Sequence, residues 1–319
     1  PVPGPTEIDQ ADQFIKAPDP EPEIPQLDFD GISSATEAHV PEIDLANVNA
    51  MALPVDESVD VSGAAEFRRV SAEVAVDLAN LERLGLLSPN IGNSPLAEQM
   101  RVIKRPLLLQ AEAREVEGGA NSNLIMVASA LPNEGKTSTA VNLAVSIAME
   151  RDRTVLLVDA DVAKSDVSKI LGVDAEFGLT DLLDDPELTI PDVMLRTDIP
   201  KLSMIPAGNR HPNLTELFAG DDMRRLMRDL STRYPDRIIV IDSPPLLATS
   251  GASVLGSLVG QIVMVVEAIR TPQSAVAEAL KMLGPLDNIG IVLNKARERP
   301  SFAYGYGYGY DYYVKQPSR

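Results

Sequence analysis

The sequence predicts an α/β fold with a doubly wound, mostly parallel sheet, and three observations predict it. Short apolar runs rich in β-branched residues recur between residues 120 and 297. Segments with helical spacing of apolar residues separate them. Several of the runs end in residues suited to phosphate chemistry, as strand ends do in sheets of this kind.

The strand candidates are "NLIMVAS", "TVLLVDAD", "KLSMIPAG", "RIIVIDS", "QIVMVVE" and "IGIVLNK". None alternates polar with apolar residues, which predicts strands covered on both faces. The helical pattern is clearest in "DDMRRLMRDLSTRY", where Met223, Leu226, Met227 and Leu230 share one stripe and Arg224, Arg225 and Arg228 lie elsewhere. Ahead of this domain, "SAEVAVDLANLERLGLL" has helical spacing, and "PLAEQMRVIKRPLLLQ" predicts a second helix that begins near Pro95 and is interrupted at Pro106.

Composition divides the chain and limits its partners. Residues 1–60 carry 14 acids and one base (net −13) of a total formal charge of −19, so the remainder carries −6. With nine prolines over residues 1–65, the segment is expected to be disordered. Four zones follow: residues 1–65 acidic and proline-rich, 66–119 a helical extension, 120–297 the α/β domain, and 298–319 a tail. An acidic chain argues against nucleic acid as the main partner. The absence of cysteine excludes disulfides and thiolate metal sites and fits a reducing, cytoplasmic setting. The apolar run 254–269 is too short and interrupted to span a bilayer, and no signal peptide is expected at the start. His39 and His211 have no second ligand nearby in sequence and are expected to be solvated.

The loop "ALPNEGKT" lies between a strand and a helix and matches G-x-x-x-x-G-K-[ST] except for Ala130 at its first position. Backbone N–H groups of such a loop, here with Asn133, Glu134, Gly135 and Ser138, cradle phosphates; Lys136 reaches the β- and γ-phosphates and Thr137 offers its hydroxyl to Mg²⁺. Asn133 stands where glycine is common, and asparagine tolerates the left-handed backbone better than most residues. "VLLVDAD" delivers Asp159 and Asp161, and "IIVIDSPP" delivers Asp242, each to a strand end where a hard cation is held. The tail "SFAYGYGYGYDYYVK" holds six of the seven tyrosines: Tyr304, Tyr306, Tyr308, Tyr310, Tyr312 and Tyr313. A core would distribute such rings, so this tail is expected to be reached by other molecules.

Taken together, "ASALPNEGKTSTAVNLAVSIAMERDRTVLLVDAD", "RIIVIDSPPLLATS" and the tyrosine cluster resemble the bacterial tyrosine autokinases (BY-kinase family) of capsule and exopolysaccharide loci, most of all the stand-alone branch beside exosortase systems. The likeness spans residues 95–313. It implies an ATP- and Mg²⁺-dependent protein-tyrosine kinase whose Walker A, A′ and B motifs act on the tail as autophosphorylation site. Lys136 would stabilise the transferring phosphoryl group, Thr137, Asp159 and Asp242 would hold or position Mg²⁺, and Asp161 would take the tyrosine proton. "EQMRVIK" matches the family's E-x-x-R-x-x-R oligomerisation motif at Glu98 and Arg101, with Lys104 in place of the second arginine, and Gly251 stands where an acid is expected. The resemblance further implies a membrane polysaccharide co-polymerase as activator and recruitment to the inner face of the plasma membrane. Two other readings share part of the evidence. A Min/Par-type ATP-driven dimer switch has the same three motifs, but carries a signature lysine where Leu131 stands. A nucleotide-binding scaffold would use the Gly-Tyr tail for adhesion.

Overall fold

The computed structural model describes residues 71–90, 94–116, 121–233, 236–284 and 288–296, all within the compact unit Glu66–Arg319. The disorder expected of residues 1–65, and the tyrosine tail, fall outside the described residues. In chain order the elements are β1 (Glu73–Val74), α1 (Leu78–Arg83), α2 (Pro95–Val116), β2 (Leu124–Ser129), α3 (Lys136–Ala148) and β3 (Thr154–Asp159). Next come α4 (Asp166–Leu171), α5 (Leu179–Asp184), α6 (Ile190–Val193), β4 (Leu195–Thr197), β5 (Leu202–Ile205) and α7 (Leu214–Ala219). The chain continues through α8 (Asp221–Arg233), β6 (Arg237–Asp242), α9 (Ser250–Gly256), β7 (Gln261–Glu267), α10 (Gln273–Leu283) and β8 (Ile289–Asn294).

The eight strands form one sheet in the order β1-β4-β5-β3-β6-β2-β7-β8. Every pairing is parallel except β4 with β5. From β2 the chain crosses to β3 on one side and later fills the gap with β6, then moves to β7 on the other. The strand ends of β2, β3 and β6 therefore meet at a reversal of strand order, where doubly wound sheets bind their ligands.

The absence of polar alternation has the expected cause in the central strands. Ile125 and Val127 of β2, Val155 and Leu157 of β3, and Val240 of β6 face a layer that includes Leu81, Met100, Leu107, Ile147 and Leu171 of α1–α4. Leu124 and Met126, Leu156 and Val158, and Ile239 and Ile241 face the opposite layer, with Leu179, Phe218, Met223, Leu255 and Leu283. Both faces are thus withdrawn from water, and the arginines of α8 lie outside, as its pattern predicts.

Three expectations are corrected. First, α2 does not break at Pro106 but continues to Val116. Its buried residues Ala97, Met100, Lys104, Leu107 and Ala111 recur at helical spacing and anchor one stripe to the domain. Pro106 and Val102, whose carbonyl would have been bonded, lie on the exposed side, where water can satisfy the freed oxygen. Second, "SAEVAVDLANLERLGLL" is not one helix. Glu73 and Val74 pair with Arg196 and Thr197 at the sheet edge, and only Leu78–Arg83 is helical, capped by Asp77 Oδ1 accepting from Asn80 N at 2.9 Å. Third, β8 is not covered on both faces: Ile291 and Leu293 are 55% and 65% exposed.

Candidate active site

The loop between β2 and α3 takes its shape from two left-handed residues, Asn133 (φ 67°) and Gly135 (φ 97°). Gly135 is required twice over, since a Cβ there would lie 2.0 Å from Asn294 Nδ2. That amide donates to the Glu134 carbonyl at 2.8 Å. Lys295 Nζ donates to the Asn133 carbonyl at 2.7 Å and pairs with Glu267 Oε2 at 3.0 Å, while Lys164 Nζ donates to Asn133 Oδ1 at 2.8 Å. The loop is therefore braced from the ends of β7 and β8 and from the turn after β3.

Glu134 has a role the motif does not announce. It is 2% exposed, and its carboxylate accepts from Leu131 N at 2.6 Å and from the Thr271 hydroxyl. Its side chain staples the loop to the turn after β7. Leu131, at the position of the Min/Par lysine, packs against the apolar layer beneath.

Lys136 opens α3 and is nearly buried. Its Nζ lies 2.6 Å from Asp161 Oδ2, 3.5 Å from Asp242 Oδ1 and 3.3 Å from Thr137 Oγ1. Asp159, at the end of β3, accepts from Asp161 N at 3.0 Å and Val167 N at 3.3 Å, so it shapes the turn into α4. Asp159 pairs in register with Asp242 at the end of β6. One lysine and three carboxylates thus converge where the sheet reverses its order. Asn133, Gly135, Lys136, Thr137 and Ser138 line a cavity of about 510 Å³, together with Arg83 of α1 and Lys169 of α4.

The electrostatics of this cluster are those of crowded carboxylates in a dry crevice. Burial pushes Asp159 up to about 8, and the neighbouring Asp242 adds to it. Burial also raises Asp242, to about 6, although Lys136 and the Thr137 hydroxyl hold it down. Burial opposes the charge on Lys136, but Asp242 and then Asp161 outweigh it and raise its pKa. The second oxygen of Asp242, Oδ2, is buried without a hydrogen-bond partner. Such a buried, unpartnered carboxylate oxygen fits a hard cation and its waters. Among the described residues no three acidic or imidazole side chains form a ready-made metal cage.

A prediction follows from the raised carboxyl of Asp159. Because its folded value lies above that of the unfolded chain, its contribution to stability is complete below about pH 4 and is lost as pH rises to about 8. Asp159→Asn removes that loss. In the nucleotide-free protein the variant is expected to melt higher than wild type at pH 8.5 and no higher at pH 4.5. Identical differences at the two pH values would contradict the assignment.

The remaining sequence candidates are distributed as follows. Glu98 and Arg101 form an exposed pair one turn apart on α2. Lys104, the third position of that motif, turns inward: its Nζ donates to Ser146 O and pairs with Glu150 Oε1, each at 2.6 Å, at the carboxyl end of α3. Gly251 is buried near the start of α9, where an added Cβ would meet the Phe218 ring at 3.5 Å. His211 lies 3.5 Å from Asp184. The six tail tyrosines and His39 lie outside the described residues. Sequence reading missed Asn294 and Lys295 as braces of the loop. Their only signal is their position at the end of a strand, in "IVLNK".

The comparisons agree with this geometry. The CobQ/CobB/MinD/ParA nucleotide binding domain matches residues 125–305. Putative tyrosine-protein kinase EpsB of Ralstonia nicotianae is 30% identical over 211 residues, 66% of this chain and 27% of its own length. Tyrosine-protein kinase YwqD of Bacillus subtilis is 28% identical over 200 residues, 62% of this chain and 80% of its own. The kinase domain of Escherichia coli tyrosine kinase ETK superposes with a TM-score of 0.56 at 27% identity, covering 75% of this chain and 94% of that one. The chain spans about a quarter of the length of EpsB. These matches do not separate the exosortase-associated branch from its relatives. With its nucleotide-binding domain matched over residues 125–305, the chain belongs to the CobQ/CobB/MinD/ParA nucleotide-binding family, and it is similar to named tyrosine-protein kinases.

Proposed function

We propose that this chain is an ATP-dependent protein-tyrosine autokinase whose acceptors are Tyr304, Tyr306, Tyr308, Tyr310, Tyr312 and Tyr313, and that it regulates exopolysaccharide polymerisation or export. The observation that carries the reading is the pairing of Lys136 with Asp161 at 2.6 Å, in a crevice that also holds Asp242 and adjoins the loop cavity. Without nucleotide, the two charges satisfy each other. When phosphates occupy the loop, Lys136 turns to them and Asp161 is released as a proton acceptor. A phenol is almost fully protonated at neutral pH, so its attack on the γ-phosphorus needs such a carboxylate. The phenol oxygen forms the new P–O bond, the bridging bond to ADP breaks, and the proton passes to Asp161. Thr137 and Asp242 would hold Mg²⁺, and Asp159 would position them through the turn it shapes. A cation held there would offset the negative charge of the phosphates during transfer.

Transfer runs between chains. Eight residues, 296–303, separate Lys295 from Tyr304, a reach of about 30 Å fully extended, and we infer that the site reached is that of a neighbouring chain. The exposed pair Glu98–Arg101 supports self-assembly through α2. With Lys104 committed to its own domain, that assembly relies on two motif positions. Among the described residues no helix is long and apolar enough to cross a membrane. On the family resemblance we further propose that a membrane polysaccharide co-polymerase acts as activator and recruits the chain to the membrane.

Mixing two chains tests this. Lys136→Met with an intact tail is combined with an active chain whose six tail tyrosines are Phe. Phosphate is expected on the inactive chain, at a rate that rises with concentration. An unlabelled inactive chain, with a wild-type rate per molecule unchanged on dilution, would contradict transfer between chains.

A further inference from the structure

The sheet ends in an edge that proteins rarely leave bare. Among the described residues β8 pairs with β7 alone, which leaves its outer N–H and C=O groups without a strand partner there. Its side chains Ile291 and Leu293 are more than half exposed, and beside them Ile269 is 89% exposed. Ile269 also holds φ at 72°, an angle that a β-branched residue seldom adopts. These three line a groove of about 370 Å³ whose floor is Val276, Ala277 and Leu280 of α10. A long, apolar, open edge invites another strand, and natural sheets cover or charge such edges.

The tail has the pattern of that strand. Phe302, Tyr304, Tyr306, Tyr308, Tyr310 and Tyr312 fall on every second residue, with Gly305, Gly307 and Gly309 between tyrosines. At a period of two, every ring stands on one face and every glycine on the other. The tail leaves from β8 itself, and residues 295–302 are enough to close a hairpin.

We propose that the unphosphorylated tail adds to β8 of its own chain as an antiparallel strand, with Tyr304 opposite Leu293, Tyr306 opposite Ile291 and Tyr308 opposite Ile289. In this register the rings fill the groove above α10, and the glycines lie on the other face, over Gly290 and Val292. Shifting by one residue would turn the rings away from the groove. Running antiparallel, the docked tail travels from the loop end of the sheet towards its opposite end, so docking withholds the acceptors from the phosphate site. A phosphotyrosine carries about −1.5 to −2 charges and cannot enter an apolar groove, so modification releases the strand. Only this release step rests on the autokinase reading. Docking is a property of the chain without nucleotide and can be tested separately.

The lack of native cysteine makes the register measurable. Leu293→Cys with Tyr304→Cys, in full-length Lys136→Met protein without nucleotide, is expected to form an intramolecular disulfide under mild oxidation. Val292→Cys with Tyr304→Cys, on the opposite face, is expected to remain reduced. Hydrogen exchange gives a second reading on phosphatase-treated wild type. Amides of residues 303–309 should exchange at least tenfold more slowly than in Leu293→Asp, and should lose that protection once ATP and Mg²⁺ have phosphorylated the tail. Disulfides formed equally by both pairs, disulfides only between chains, or equal exchange in wild type and Leu293→Asp would overturn the proposal. Retained tail phosphorylation alongside any of these results would leave the kinase reading standing.

Discussion

Lys136→Met is expected to lower phosphate transfer to the tail by about a thousandfold or more while leaving the sheet assembled, because a preorganised cation acts on charge that develops at the transferring group. The structure adds a consequence that the loop motif does not announce. Lys136 is nearly buried and balances Asp161 and Asp242. Removing one partner of a buried pair leaves uncompensated charge, and the cost is on the order of a few kcal/mol unless the carboxylates take up protons. The variant is therefore expected to melt below wild type at pH 8, with the gap narrowing towards pH 5 as Asp242, already raised to about 6, becomes neutral. Circular dichroism checks the fold, thermal melts at the two pH values check the pairing, and phosphotyrosine blotting checks the activity. A gap that widens on acidification would contradict the pairing; undiminished phosphotyrosine would contradict the role.

Asp242→Ala is expected to affect nucleotide binding and transfer together. Asp242 offers one oxygen to Lys136 and leaves the other buried without a partner. If that oxygen holds Mg²⁺ or a water on it, the variant loses about ten- to a hundredfold in affinity for ATP in the presence of Mg²⁺, and little or nothing for ATP in EDTA. Asp161→Asn should separate the two quantities, keeping affinity and losing turnover, since its proposed work begins only when a phenol arrives. Calorimetric titration with and without Mg²⁺ measures the first pair. Equal loss under both conditions would mean that Asp242 acts on the loop rather than on the metal.

The parts of this architecture that sequence displays are those with a local period or a local motif. β2, β3, β6 and β7 announce themselves by unbroken apolar runs, and α8 by its stripe. "NEGKT" sits on the strand-to-helix turn that gives it meaning. β1 and β4 were not legible because strands of two and three residues have no period to read. Pro106 misleads because its helix is held by packing along the other side, which local propensity does not register. The braces of the loop are hidden for a different reason. Glu134 meets Thr271, and Lys295 meets Asn133, across 137 and 162 residues of chain. No local pattern encodes such contacts. Lys104 shows the same limit, since only its partners on and after α3 reveal that it faces inward.

The central claim is that the crowded phenols are acceptors for this chain's own active site. Intact-mass and peptide mass spectrometry of the purified, phosphatase-treated protein, with and without ATP and Mg²⁺, tests it most directly. A ladder of up to six added phosphates is expected, confined to the peptides that carry Tyr304 to Tyr313, present only with both ATP and Mg²⁺ and absent in Lys136→Met. ATP consumed with no phosphate on those peptides would contradict it.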